Sequence, residues 1–407
     1  MIETAEKRKT YYGLPETVVF CKRCVMSNQR PASTPEFTND ASNQRKVGLH
    51  IDDDNVCDAC RYAETKERID WEARERELVE LLDQYRRTDG YYEVLVPGSG
   101  GKDSAYAAHL LKYKYGMKVL TCTWPPHIYT DIGWKNFRNW IDVGGFDNIS
   151  FSPNGAVHRL LTKLAFQNLL HPFQPFILGQ KNLAPKLALK YDIPLIFYGE
   201  SEAEYGSPVA ENYTSLRKKS HYTYSNPDDI FIGGVPLTSL FDDYGLSWND
   251  IDSYLPPNLD QVEKSNTEVH YLGYYLKWTP QECYYHAVEN TGFEANPFRT
   301  EGTYSKYNSL DDRIDGLHYF TTYIKFGFGR TSYEASQELR NHHLTREEAV
   351  ALVERFDGEF PRKYFEEVLE YMDMDEDTFW SLIDRSRPPH LWEKAGKEWS
   401  LRHRVYE

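Results

Sequence analysis

An apolar run, Val94-Leu95-Val96-Pro97, leads directly into Gly98-Ser99-Gly100-Gly101-Lys102-Asp103-Ser104. A strand that stops at small residues and reopens as a helix aims several backbone N–H groups at one point. The partial positive charge of the helix N-terminus makes that point favourable for phosphate. Lys102 adds a full positive charge there, and Ser99 and Ser104 add hydroxyls. Asp103, in the first helical turn, either steadies the helix dipole or reaches a phosphate-bound cation. The spacing is not the G-x-x-x-x-G-K-[ST] of the Walker loop. A second chemical set is Cys21, Cys24, Cys57 and Cys60, two C-x2-C pairs. Each pair turns two thiolates to one side, and two pairs complete a tetrahedral four-sulfur site for Zn2+. The intervening stretch is rich in Asn, Asp, Ser, Thr and Pro and cannot fold by apolar burial alone, so a closed structural metal site is expected. Cys122 and Cys283 read as buried thiols.

These residues need elements to position them. Strand-like segments at 92–96, 118–123, 148–151 and 194–198 alternate with helical stretches near 103–115, 131–142, 154–170 and 180–191. That alternation implies an α/β fold, a parallel sheet with helices on both faces. Ligands of such sheets bind beyond the carboxyl ends of the strands. The glycine-rich loop, the segment Thr121–Trp124 and Tyr198-Gly199-Glu200 all fall at strand ends and are expected to converge. Glu200 and Glu204 are the expected cleft carboxylates, binding Mg2+ or orienting ammonia, with Glu202 turned away. Thr123 and Gly199 are expected at the nucleotide, and Trp124 either stacks on adenine or is core. A charged amphipathic helix is expected over 65–87. Residues 205–270 show no long periodic element. Helix signals dominate from Thr331, where Thr331–Glu334 and Thr345–Glu348 both have capping-box spacing. The division expected is a cysteine module (1–62), a linking helix (63–90), the nucleotide core (91–204), a loop-rich substrate or partner region (205–330) and a helical C-terminal region (331–407).

The 407 residues exceed the size at which single cores usually stop growing. The net charge of −15 argues against a large polyanion, and hence against nucleic acid, as the main partner. No long apolar run suggests a membrane span, and the charged start Met1-Ile2-Glu3-Thr4-Ala5-Glu6-Lys7-Arg8 lacks a signal-peptide profile, so a cytoplasmic location is expected. The 31 Tyr and 9 Trp suit sugar pockets or protein interfaces.

The loop resembles that of the PP-loop ATP pyrophosphatases, adenine-nucleotide alpha hydrolase-like enzymes that split ATP between its α- and β-phosphates. Glu268–Trp278 and Ile324-Lys325-Phe326-Gly327-Phe328-Gly329-Arg330 resemble signatures of the WbpG/PseA-like N-acetyl sugar amidotransferases within that group. The resemblance runs from about Cys21 to about Glu370; the tail beyond about Arg385 matches no motif of it. It implies a zinc-ribbon-like N-terminal module. It also implies ATP bound by Ser99, Gly100, Gly101, Lys102, Asp103, Ser104, Thr123 and Gly199, with Mg2+ at the phosphates. The reaction it implies turns the N-acetyl group of a nucleotide-linked acidic sugar into an acetamidino group for surface polysaccharide or flagellin glycans. AMP is passed to the amide oxygen, and ammonia then displaces it. Because the chain has no recognisable glutaminase, the resemblance implies a separate one, similar to the glutaminase and barrel subunits of imidazole-glycerol-phosphate synthase. The Tyr-rich stretch near 205–310 is the expected docking surface.

The catalytic residues expected are Lys102, Asp103, Glu200, Glu204 and Arg330. An acidic sugar needs fixed positive charge, for which Lys325 and the planar fork of Arg330 are candidates. Lys277 and Trp278 either grip sugar or diphosphate, or are a packed Trp beside a snorkelling Lys. His318 is a weaker candidate, and His109 reads as a core or surface residue. The competing reading is a tRNA-modifying thiolase or lysidine-type ligase with the same loop. The acidic balance and the lack of a further C-x2-C for sulfur relay weigh against it.

Overall fold

A computed structural model describes residues 9–206 and 214–406. The start of the expected polar arm, residues 1–8, and residues 207–213 of the loop-rich region lie outside the described residues. Among the described residues nine strands are formed: β1 (Val94–Pro97), β2 (Val119–Thr123), β3 (Asp147–Ser150), β4 (Leu195–Tyr198), β5 (Phe231–Ile232), β6 (Val235–Pro236), β7 (Glu268–Tyr271), β8 (Trp392–Ala395) and β9 (Glu398–Leu401). Five of them make one all-parallel sheet in the order β3-β2-β1-β4-β7. The expected α/β architecture is therefore present. Its edge strand β7 was not expected from the sequence, since four residues amid Asn, Ser and Thr show too little periodicity.

Both faces of the sheet are buried because successive side chains alternate between two cores. Leu95, Leu120, Ile196 and Val269 enter one core, while Val94, Val96, Val119, Leu195 and Phe197 enter the other. The helices are α1 (Asp58–Lys66), α2 (Trp71–Gln84), α3 (Lys102–His109), α4 (Asp131–Asp142), α5 (Gly155–Leu169) and α6 (Gln174–Tyr191), followed by further helices named below by range. Helices α5 and α6 line the first core; α2, α3, α4 and the helix Pro280–Thr291 line the second. The expected linking helix is two helices: the Asp70 carboxylate accepts from the Ala73 N–H at 3.0 Å and starts α2 afresh.

Four helices, Arg330–Arg340, Arg346–Phe356, Phe365–Tyr371 and Glu376–Arg385, carry the C-terminal region, which closes on the β8–β9 hairpin. Thr345 and Glu348 form the capping box expected of them. Thr331 does not: its helix already begins at Arg330, and the Thr331 hydroxyl donates instead to the Gly302 carbonyl at 2.8 Å. Among the described residues no helix is long and apolar enough to cross a membrane.

Candidate active site

The chain leaves β1 for β2 and β3 on one side, then returns to β4 and β7 on the other. The C-terminal ends of β1 and β4 thus flank the crevice where open parallel sheets bind ligands. Gly100 turns the loop with φ +84°, and a Cβ there would sit 2.7 Å from the Asn136 carbonyl oxygen. Gly199 lets the end of β4 touch the first turn of α3; a Cβ would lie 2.8 Å from the Asp103 carbonyl oxygen. Between them is a cavity of about 410 Å³. Its walls are Gly98, Ser99, Gly101, Asp103 and Ser104 from the loop, facing Tyr198, Gly199, Glu200 and Glu202 with Lys181, Arg217 and Tyr271.

The electrostatics of this cleft are uneven. Lys102 is buried, which would lower its pKa, but the Asp103 carboxylate at 2.7 Å outweighs burial and holds it raised and charged. Trp278 Nε1 donates to the other Asp103 oxygen at 3.2 Å, fixing that carboxylate. Glu200 is pushed up to about 7, first by burial and then by the negative charge of Asp103. Glu202 is also partly desolvated, yet Arg217 and Lys181 pull it below the usual carboxylate value, and Tyr271 Oη donates to it at 3.0 Å. Ser99 is anchored from outside, donating to Asp311 at 2.9 Å.

Several expected residues stand elsewhere. Glu204 does not line the cleft. It is buried in an ion pair with Lys66 of α1 at 2.6 Å, while Glu202, expected to turn away, faces the cavity. The reason is local: residues 202–205 form a 3₁₀ turn capped by Ser201, so strand-like alternation does not continue past Glu200. The Thr123 hydroxyl donates to the Gly98 carbonyl at 2.7 Å and ties β2 to the loop rather than facing the cavity. Trp124 is core, stacked on Phe151. Lys277 lies at the surface with Glu67 at 3.2 Å, so only Trp278 of that pair is inside. Gly327 (φ +73°) ends the helix Asp315–Phe326 and Gly329 starts the next, so these glycines shape a helix junction. The Arg330 fork is taken by Glu334 and Tyr319 Oη, outside the cavity wall. Lys325 and His318 line a neighbouring chamber. His109 sits partly exposed on α3, its Nδ1 3.0 Å from His286 Nε2. Lys181 and Arg217 carried no signal as site residues: one lies on α6 and the other in a loop whose backbone bonds to β7. Tyr271 lies within the Glu268–Trp278 motif but was not singled out there.

The four cysteines do converge. Cys21 and Cys60 sulfurs are 3.9 Å apart, Cys24 and Cys57 3.7 Å, and all four lie within 4.8 Å of one another, fully enclosed. A tetrahedral zinc with sulfur at about 2.3 Å needs sulfurs near 3.8 Å, so the cluster can hold zinc. The Cys57 and Arg23 N–H groups point at Cys21 Sγ at 3.3 and 3.4 Å, as a thiolate ligand requires. Phe326 and Phe328 pack against this cluster. Lys66 of α1 also donates to the Trp278 carbonyl, so the module, Trp278 and Asp103 form one connected chain.

Comparison with known proteins bears on the C-terminal part. Residues 301–406 match the family described as LPS biosynthesis protein WbpG-like, C-terminal domain. This C-terminal stretch is therefore similar to a WbpG-like C-terminal domain. This match bears out the resemblance read from the sequence. It covers the helix Arg330–Arg340, which packs beside the cleft through Tyr333, and the β8–β9 hairpin beyond the motifs recognised. Among solved structures, that of NMN synthetase from Francisella tularensis is similar at 15% identity, covering 61% of this chain and 93% of that one with a TM-score of 0.26. The fold assignment accordingly rests on the sheet itself. No curated protein matches the chain.

Proposed function

We propose that this WbpG-like protein is an ATP-dependent amidotransferase that converts the N-acetyl group of an acidic, nucleotide-linked sugar into an acetamidino group. The observation that carries this reading is the glycine-rich loop opening, with Asp103 and its ion-pair partner Lys102 just behind the wall, onto a cavity at the β1/β4 switch point. The cavity is large enough for a nucleotide. In this reading the amide oxygen attacks the α-phosphorus of ATP and the bond to pyrophosphate breaks. Lys102 and the loop N–H groups stabilise the charge gathering on the departing pyrophosphate. The amide N–H gives its proton to the Glu200 carboxylate, whose pKa near 7 suits that exchange at neutral pH. Ammonia then adds to the imidate carbon, the C–O bond breaks, AMP leaves, and the amidinium keeps the extra proton.

A divalent cation fits the cleft because the carboxylates of Asp103, Glu200 and Glu202 all line it. Asp103 would hold the ion, which supplies charge neutralisation across the phosphates. Zinc in the cysteine module is read as structural. Ammonia is read as delivered by a separate glutaminase docking on the Tyr-rich stretch near 205–310. The test is product analysis with ATP, ammonium and nucleotide-linked N-acetyl sugars. AMP and pyrophosphate are expected, with glutamine alone failing to replace ammonium. ADP and phosphate as products would overturn the assignment.

A further inference from the structure

A second chamber of about 330 Å³ adjoins the phosphate cleft, and Ser33, Lys181 and Tyr333 belong to the walls of both. Its charge is one-sided. Lys46, Lys181, Lys325 and Arg30 face a single acid, Glu36. That acid is already committed, to His171 at 3.3 Å and to the Asn39 amide at 2.7 Å. Lys325 is only 8% exposed and donates to the neutral Leu169 carbonyl at 2.9 Å; burial and nearby Lys46 push it down to about 7. Lys46 is bonded to the neutral Asn39 side chain, and Lys181 has no hydrogen bond or ion pair with any described residue. His318 Nδ1 is buried without a partner among the described residues. Lys325 and Arg30 are buried and Lys46 and Lys181 half-buried, and with Glu36 the one acid lining the chamber among the described residues, so many cations are costly to hold there unless an anion joins them. Phe326, Phe328 and Tyr319 supply ring faces, which suit the apolar side of a sugar.

We propose that this chamber seats the anionic acceptor, its carboxylate or phosphate at Lys46 and Lys325, and that the segment between the two cysteine pairs is its recognition wall. That segment supplies Arg30, Ser33, Glu36 and Lys46. The cysteine module therefore shapes the acceptor site as well as stapling the N-terminal region. The shared wall at Ser33 and Lys181 leaves the acceptor's amide facing the cleft where ATP is cleaved. The assignment rests on the amidotransferase reading for the identity of the acceptor, and on the chamber alone for its charge.

The test compares three acceptors with ATP and ammonium: a nucleotide-linked N-acetylhexosaminuronic acid, the same nucleotide carrying neutral N-acetylhexosamine, and the free uronic acid. Each is assayed with wild type, Lys46→Met, Lys325→Met and Ala32→Phe, the last filling the chamber without removing charge. Acceptor KM is expected to rise at least about tenfold in all three variants, with the KM for ATP within about twofold of wild type. If the carboxylate is the seated group, the Lys variants lose their preference for uronic acid over neutral sugar. If the phosphate is seated, both nucleotide-linked sugars weaken alike. Turnover by wild type with unchanged acceptor KM in the variants overturns the chamber assignment. If wild type forms no AMP with any acceptor, the reaction assignment fails separately. Calorimetry with the same sugars then decides the chamber: binding weakened in Lys46→Met and Lys325→Met supports it, and equal or absent binding to wild type overturns it.

Discussion

Lys102→Ala is expected to lower kcat for AMP formation at least about a thousandfold while leaving the circular-dichroism spectrum and thermal midpoint close to wild type. Removing one preorganised donor from a site of developing charge commonly costs a hundredfold to a thousandfold, and Lys102 is a charged donor buried behind Asp103 of the cleft wall. Its ammonium is fixed by Asp103 at 2.7 Å, and that carboxylate is fixed in turn by Trp278. The fold is expected to survive because α3 is built from Ala105, Ala107 and Ala108 packed on β1, with Lys102 only at its first turn. Single-turnover AMP release and nucleotide binding separate the two effects. A variant that keeps kcat within about tenfold would remove Lys102 from the chemistry.

Glu200→Gln is expected to lose activity and gain stability. As the proton acceptor, Glu200 must be ionised, so kcat of the wild type is expected to rise with pH through about 7 and level off above it. The Gln variant lacks that limb and falls by roughly a hundredfold or more. The stability effect has the opposite sign. The folded-state carboxyl holds its proton to about 7 against an ordinary 4.5, so between those values the native chain binds more protons than the unfolded chain. Stability contributed by this group is therefore full below about 4.5 and is lost as pH rises to about 7. At pH 8 the wild type carries the whole cost of the buried charge and the Gln variant does not. A higher melting temperature for Glu200→Gln at pH 8, with no difference at pH 4, is the expected calorimetric result. A lower midpoint at pH 8 would make Glu200 a structural residue.

Much of the site was legible because its physics is local. An apolar strand followed by Ser99–Ser104 is a strong local signal, and the loop and the end of β4 do meet at the cavity, whereas Thr121–Trp124 at the end of β2 stays out of its wall. The two C-x2-C pairs were equally plain, since each spacing fixes two sulfurs by itself. What escaped was set by tertiary contact. Glu202 and Glu204 exchanged places because a 3₁₀ turn replaced strand alternation, and Lys66, far away in sequence, claimed Glu204. Arg217 and Lys181 belong to segments whose periodicity says only loop or helix; the Arg217 N–H donates to the Val269 carbonyl of β7 at 2.8 Å, and α6 carries Lys181, which brings both to the cleft. Lys325 was recognised as a candidate for anion binding, with no signal for the element that holds it. It sits near the end of a helix, and the glycines after it serve the junction. Arg330, read as a free fork, is spent on Glu334 and Tyr319.

The amidine product is the most direct measure of the central claim. The purified chain is incubated with ATP, Mg2+, 15N-ammonium and a panel of nucleotide-linked N-acetyl sugars, and the sugars are read by mass spectrometry. Exchange of amide oxygen for nitrogen is expected to lower the sugar mass by about 1 Da with ordinary ammonium and to leave it nearly unchanged with the heavy isotope, with one AMP formed per sugar converted. AMP released without any such isotope-dependent change in a sugar, or a product bearing sulfur or formed on RNA, would contradict it.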